Sequence, residues 1–582
     1  MKTYATHFTA TAIALAMTPF ALFADTVTWT GGNGGFGYEW TATCWDTGAN
    51  PAASDTARFV DIPRFQSQVE AGKNQSIALT QDETVAAIRF DNTYGISIQG
   101  GHTLSLGALY ACESDIATTN SIKSPTTLSF AAATNIIDVG AGHVLQIGST
   151  CSEPNGAGNE ILRTGAGTLI LSGTSLGFTG DAWFREGRTI ISSGAYPTLK
   201  GNVRIGGDSD RPALVETTSS THPTLSSGTD LSILPGGTFR GPVRASAATW
   251  AKEYLSVDHG VLDGANSLSL YSTDFSDTPE RGRQIHLTGG VLTNLLLGIS
   301  SNASDNPTLS VHAADIPSVL AGSLDPNPLT FAVERGTAPV DFVGLFRVTG
   351  HGPIHKTGPG IMAIDTPDGI GDFQTGTKTS TVREGMLLLN NISGSAMGTN
   401  DVEVLAGATI GGTGTQYGDF VNLRGLKGNI HLLGSSEARA VMAPGDIDRT
   451  SGRWIPGTFT VGDPVLTNNV ISTGYAELRC HVDATGASCL AVNGRLALSA
   501  TDRLAIVCPQ GIRTGSYTLA TFTNGFSHRF AEVTVNGVDI ANVRGKVVYL
   551  DAGGNTITDA SYDGAGSIVY SVPPEGTVFV VQ

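Results

Sequence analysis

Apolar and polar residues alternate with a period of two along short runs of this chain, and glycine interrupts those runs every few residues. In "RTGAGTLILSGTSLGFTGDAWFREGRTIIS", which begins at Arg163, Leu169 and Leu171 face one way while Thr168 and Ile170 face the other. A period of two is that of a β-strand, whose successive side chains leave opposite faces. A distant passage from Lys356, "KTGPGIMAIDTPDGIGDFQTGTKTSTVREGMLLLNN", puts Met362 and Ile364 in the places of those leucines. Gly165, Gly167, Gly358 and Gly360 bracket the strand starts, and Gly187 and Gly385 end the Arg-Glu-Gly tripeptides. A positive φ or a sharp bend costs least at a residue without Cβ. The basic residue and the tripeptide are 22 residues apart in one passage (163 to 185) and 27 in the other (356 to 383). The two passages read as one supersecondary unit used twice.

Degenerate copies fill much of the remaining chain: "IQGGHTLSLG" from Ile98, "VGAGHVLQIG" from Val139, "LPGGTFRG" from Leu234, "LTGGVLTNLLLG" from Leu287 and "VLAGATIGG" from Val404. Each is too short to bury its own apolar edge, so it must stack on its neighbours. The expected object is an elongated all-β solenoid. With strands about 4.8 Å apart and about 20–28 residues per rung, it has roughly 20–25 rungs and is around 100 Å long. Soft boundaries divide it into a cap with first rungs over 25–160, repeats over 161–465, and C-terminal rungs with a cap over 466–582. Long helical periodicity is scarce, and no apolar run past Ala24 is long enough to span a membrane.

Composition agrees with this picture. Of 582 residues 74 are glycine, 40% are apolar and only 15% charged, which excludes both a disordered chain and a collagen. The segment from Met1 to Ala24 reads as an export signal, with Lys2, an apolar stretch and Ala24 before Asp25 as the expected cleavage point. Its removal leaves 33 basic against 51 acidic residues, a net charge of −18. Such a surface disfavours nucleic acid and anionic lipid as partners. Six cysteines in an exported chain allow disulfides. Cys480 and Cys489 lie symmetrically about the turn Asp483-Ala484-Thr485-Gly486 and are the candidate pair, with Cys508 as competitor. Cys44, Cys112 and Cys151 form a separate group, and the spacings match no zinc pattern.

Read in order, these segments resemble secreted bacterial proteins with autotransporter-associated β-strand repeats, the passenger-type repeats. The mature start is similar to that family's opening, through Trp29, Trp45, Pro51, Asp55 and Phe59. The two Thr-Gly-x-Gly passages resemble the repeat itself. "VLAGATIGGTGT" followed by "MAPGDIDRTSGRWIPGTFTVGD" resembles its late turn, and "GSYTLATFTNGFSHRFAEVTVNG" its last rungs, with Tyr517, Leu519 and Phe522 in the core. The resemblance implies a right-handed parallel β-helix outside the cell, serving adhesion or surface architecture. It departs in lacking the C-terminal translocator barrel, since the chain ends at "PPEGTVFVVQ".

β-Helices also serve as polysaccharide lyases and hydrolases, so paired acids count as candidates: Asp208 with Asp210, Asp274 with Asp277 and Glu280 beside Arg283, and Asp446 with Asp448. The preferred reading is that they are solvated turn residues, because aspartate starts turns through its backbone hydrogen bond. "GGDSD" from Gly206 lacks the repetition of a calcium-binding nonapeptide. Ser175 in "GTSLG" satisfies a hydrolase pentapeptide but lies inside a β repeat with no helix after it. His102 and His143 occupy matching turn positions. Trp40, Trp183, Trp250 and Trp454 serve either as packed corners and caps or as platforms for sugar rings. The expectation is therefore an exported, non-catalytic scaffold at the cell surface, on the outer membrane, or in the extracellular medium. No catalytic residue, metal or cofactor is assigned. Its partners are host or neighbouring-cell surface glycans or proteins, with no nucleic acid and no membrane span in the mature chain. A polysaccharide-active enzyme is the alternative.

Overall fold

The alternating runs form parallel strands that stack into a β-solenoid. A computed structural model describes residues 25–574 apart from 32–38, 63–74, 112–115, 157, 174–176, 178, 193–200, 218–223, 226–229, 242, 246–253, 265–267, 271–283, 300–307, 326–328, 349–351, 367–378, 392–395, 398–400, 417–427, 463–468 and 512. The proposed leader, Ala24 and Cys112 lie outside these residues.

The first sheet contains 19 strands, from Thr26–Trp29 to Leu496–Ala497, each parallel to the next. Cα partners on successive rungs are as close along the chain as Ile161 and Ala182 and as distant as Ile430 and Val470. At about 4.8 Å per step, this ladder is about 86 Å long. It has fewer than the 20–25 rungs expected, because the ladder ends at Leu496–Ala497 and the residues after it enter other sheets. The ladder passes residues 160 and 465 without a break, since Thr134–Val139 pairs with Glu160–Thr164 and Ile430–Leu433 with Val470–Gly474.

A second sheet runs beside the first, from Gln75–Ala78 to Glu532–Val535. Where a rung needs no corner there, one long strand serves two short ones: Thr119–Phe130 pairs with both Ile96–Gln99 and Thr103–Leu106. A third sheet of six strands appears toward the C-terminus and ends in the antiparallel strands Lys546–Asp551 and Gly566–Val572.

One hydrophobic cluster runs unbroken from Val27 to Val572. Leu169, Leu171, Met362 and Ile364 all lie inside it. Leu519 and Phe522 are also core residues, with Tyr517 packed against them. At the N-terminal end, Trp29, Trp40, Trp45 and Phe59 cover the open end of the stack, their rings 4.9–5.9 Å apart. Trp40 is thus a cap residue.

The two matching passages have a structural meaning that the linear pattern conceals. Arg163 is the register partner of Phe184, and Thr168 of Arg188. The Thr-Gly-x-Gly and Arg-Glu-Gly segments are consequently the same corner on successive rungs, between first and second sheet. Lys356 with Val382, and Ile361 with Met386, repeat the relation.

Outside the stack, a two-stranded antiparallel flap, Asp446–Ile447 with Trp454–Ile455, folds back over the second sheet. It covers Val340, Ala363 and Leu388 with Ile447, forming a small second core.

Candidate functional site

Glycine at each corner lets the chain turn with a positive φ, +83° at Gly165 and +72° at Gly187. That conformation directs several carbonyls inward, where no water is available to them. A buried unpaired carbonyl is costly. The Arg163 side chain, itself fully buried, donates to the carbonyls of Thr164, Gly165 and Gly167. Lys356 does the same: its Nζ donates to Thr357 O at 3.1 Å, Gly358 O at 2.5 Å and Glu384 O at 2.9 Å. Burial pushes the Lys356 amine down to about 8, against the pull of Asp341 and Glu384. The basic residue that opens both passages is a plug for the corner, and the closing glycine leaves room for it. A Cβ on Gly385 would collide with the carbonyls of Gly358 and Gly360 and lie 2.7 Å from Lys356 Nζ.

Of the acids singled out by sequence, Asp208, Asp210, Asp446 and Asp448 lie among the described residues. Asp208 accepts from Asp210 N at 3.0 Å, as a turn residue does. Asp448 accepts from the backbone of Thr450 and Ser451, which holds its carboxyl below the usual range. Asp446 instead joins an ion-pair network in which Arg449 bridges it at 2.9 Å and Asp365 at 2.8 Å, fastening the flap to the stack. Asp274, Asp277, Glu280, Arg283, Ser175 and Trp250 lie outside the described residues.

His143 is buried against Thr118 Oγ1 at 2.9 Å, whereas His102 is at the surface 3.6 Å from Asp82. Burial distinguishes two positions that look equivalent in sequence. Trp183 donates to Gly206 O at 2.8 Å, with Arg185 over its ring, and Trp454 stacks on His481 at 4.7 Å. Both are half-buried.

Cys480, buried, and Cys489, half-buried, carry free thiols in this structure and are near enough for Cys489 to act electrostatically on Cys480. The predicted turn does form, with Asp483 N donating to Gly486 O and Ser488 N to His481 O. The strands on its two sides belong to different sheets: Ala476–His481 joins the second sheet and Cys489–Val492 the third. Cys480 Sγ points inside toward Leu519 O, and burial raises both thiols, Cys489 to about 11.

The sequence reading missed a polar groove near the C-terminal end, about 540 Å³ in volume. Its floor is an outward-facing column on the second sheet in which Glu477 partners Arg503, and Arg503 partners Glu532, on consecutive rungs. Glu477 is fully buried beneath two arginines, with Oε1 accepting from Arg479 Nη2 at 2.6 Å and Oε2 from Arg503 Nε at 2.8 Å. Arg439 reaches Ala476 O, Thr501 O and the Glu532 carboxylate at 3.0–3.2 Å. Burial works against the Arg503 charge, but the hydrogen bonds and charges of Glu477 and Glu532 outweigh it and raise the guanidinium. Tyr475 and Glu437 line the groove. The only signal in the sequence is an acid, a base and an acid spaced by 26 and 29 residues (477, 503, 532), which has no meaning until the register is known.

Among the described residues no group of three or more His, Cys, Asp or Glu could hold a metal ion, and no helix is long and apolar enough to cross a membrane. No protein-family model matches the chain, and no curated protein matches it.

Proposed function

We propose that this chain is an exported β-solenoid of the autotransporter-passenger type, acting as an adhesive or structural scaffold at a cell surface or in the medium. The observation that carries this reading is the unbroken stack, with 19 parallel strands in one sheet and one core along their whole length. Such a rod holds its outer faces at fixed spacing over about 86 Å. The leader-like segment ending at Ala24 and the order of family-like segments support export. Fractionation of the native cells tests it: the scaffold reading expects the protein in the surface or released pool, and the purified chain adhering to whole cells. Cytoplasmic retention, or no adherence to any surface, overturns it.

A second reading, a polysaccharide-active enzyme, draws on the meeting of Glu437 and Glu477 with three arginines in one groove, beside which Glu532 pairs with two of them. It expects new reducing ends from a polysaccharide panel, lost in Glu437→Gln. Intact polymers after long incubation remove it.

A further inference from the structure

The groove beside Tyr475 combines features that neither corner packing nor fold stability requires. Four non-glycine residues have positive φ among those described: His259, Asn294, Asn536 and Tyr475. Asparagine and histidine tolerate this region better than most; a bulky aromatic does not. Tyr475 sits at φ +52° and still leaves 37% of itself exposed, so the strain is not repaid by burying the ring. Its backbone is held there from both sides. Tyr475 N donates to Thr501 Oγ1 at 2.9 Å, and Gly434 packs so close that a Cβ would strike the Tyr475 carbonyl. Strained residues that the surroundings over-determine cluster at ligand sites.

The charged groups indicate what kind of ligand fits. Arg439, Arg479 and Arg503 line the groove with Glu437 and Glu477, and Glu532 beside it pairs with Arg439 and Arg503, so the cluster holds three positive against three negative groups. A site selecting an anion needs surplus positive charge, and this one has none. The half-exposed guanidinium groups offer donors, and the Glu437 and Glu532 carboxylates offer acceptors near them, which suits adjacent hydroxyls that both accept and donate. An exposed aromatic face beside them suits the C–H face of a sugar ring. The volume of about 540 Å³ is large enough for a sugar ring.

We infer that this groove is a binding subsite for a neutral pyranose of a surface glycan, with Tyr475 as platform, Arg479, Arg503 and Glu437 as hydroxyl partners, and buried Glu477 holding the two guanidinium groups in place. The inference rests on the scaffold reading above and names the ligand class of its adhesive surface.

The test uses the full-length mature chain, an array of neutral and uronate-containing oligosaccharides, and saturation-transfer NMR with methyl pyranosides. Neutral glycans are expected to bind, and Tyr475→Gly to weaken them at least tenfold. Because glycine accepts a left-handed φ without strain, that variant is expected to melt no earlier than wild type. Tyr475→Asn, which also tolerates the left-handed region, is the second variant and is expected to lose binding equally. Arg479→Gln is expected to weaken the same ligands. The subsite is overturned if no neutral glycan binds, if both Tyr475 variants bind as wild type does, or if uronates bind better than neutral sugars. Cell adherence separates the two claims. Wild type and Tyr475→Gly adhering equally removes the subsite and leaves the scaffold, whereas wild type failing to adhere removes the scaffold itself.

Discussion

Lys356 shows what a single buried charge does in this architecture. Its amine satisfies three carbonyls from two successive rungs, so it joins the rungs at a point where strand hydrogen bonds cannot. Lys356→Met is expected to cost about 2–4 kcal/mol at pH 7 in chemical denaturation, because three buried acceptors lose their donor. The amine falls from 10.5 to about 8 on folding. Between those values the unfolded chain binds a proton that the folded chain does not, so stability rises with pH across the window. The gap between wild type and Lys356→Met should therefore widen by about 3 kcal/mol from pH 8 to pH 10.5. A gap that stays constant removes the buried-amine account. Gly385→Ala is expected to be at least as damaging as the lysine variant, since it combines a left-handed φ of +67° with a collision against the Gly358 and Gly360 carbonyls.

Strands at the two ends of a solenoid have an unpaired edge or an open core, and this chain closes each end differently. The N-terminal end is closed by side chains, with Trp29, Trp40 and Trp45 packed on Phe59. The C-terminal end is closed by backbone, through antiparallel strands that cannot continue the parallel stack. Trp40→Ala is expected to cost about 3–5 kcal/mol in thermal melting and to promote self-association visible by light scattering, because an uncovered edge recruits other chains. The flap behaves as a separate element. Arg449 fastens it by pairing with Asp365 and Asp446, and those pairs raise its guanidinium although burial opposes them. Arg449→Ala should speed proteolytic cleavage between residues 446 and 455 while the stack resists. Cleavage at the wild-type rate would show that the apolar contacts of Ile447 and Trp454 suffice.

At the scale of the molecule, neighbour contacts dominate and the shape is set by the number of rungs. A compact globule of this length has a radius of gyration of about 25 Å, and hence a diameter of about 65 Å. Small-angle scattering should instead give a maximum dimension of about 90 Å or more, as the rung spacing requires. Unfolding is expected to depend on local rung stability, so the Lys356 and Trp40 variants, far apart along the axis, should add in their effects on stability. Strong non-additivity would mean that the stack unfolds through one long-range unit.

What the linear pattern determined was local. Alternation puts Leu169, Leu171, Met362 and Ile364 inside because side chains of a strand leave on opposite faces whatever lies beyond it, and the glycines mark corners because only they turn there without strain. The turn at Asp483 to Gly486 was legible for the same reason. Whatever depends on a neighbouring rung was decided by the tertiary structure. The matched Arg163 and Lys356 were visible as a repeat, but the carbonyls they serve come together only at the corners of the solenoid. Cys480 and Cys489 flank a real turn, but that their strands enter different sheets could be known only from the register. The column Glu477, Arg503 and Glu532 forms only through register. Rung length nearly doubles between the step from Ile161 to Ala182 and the step from Ile430 to Val470, so no fixed period in the chain announces which side chains will stand together.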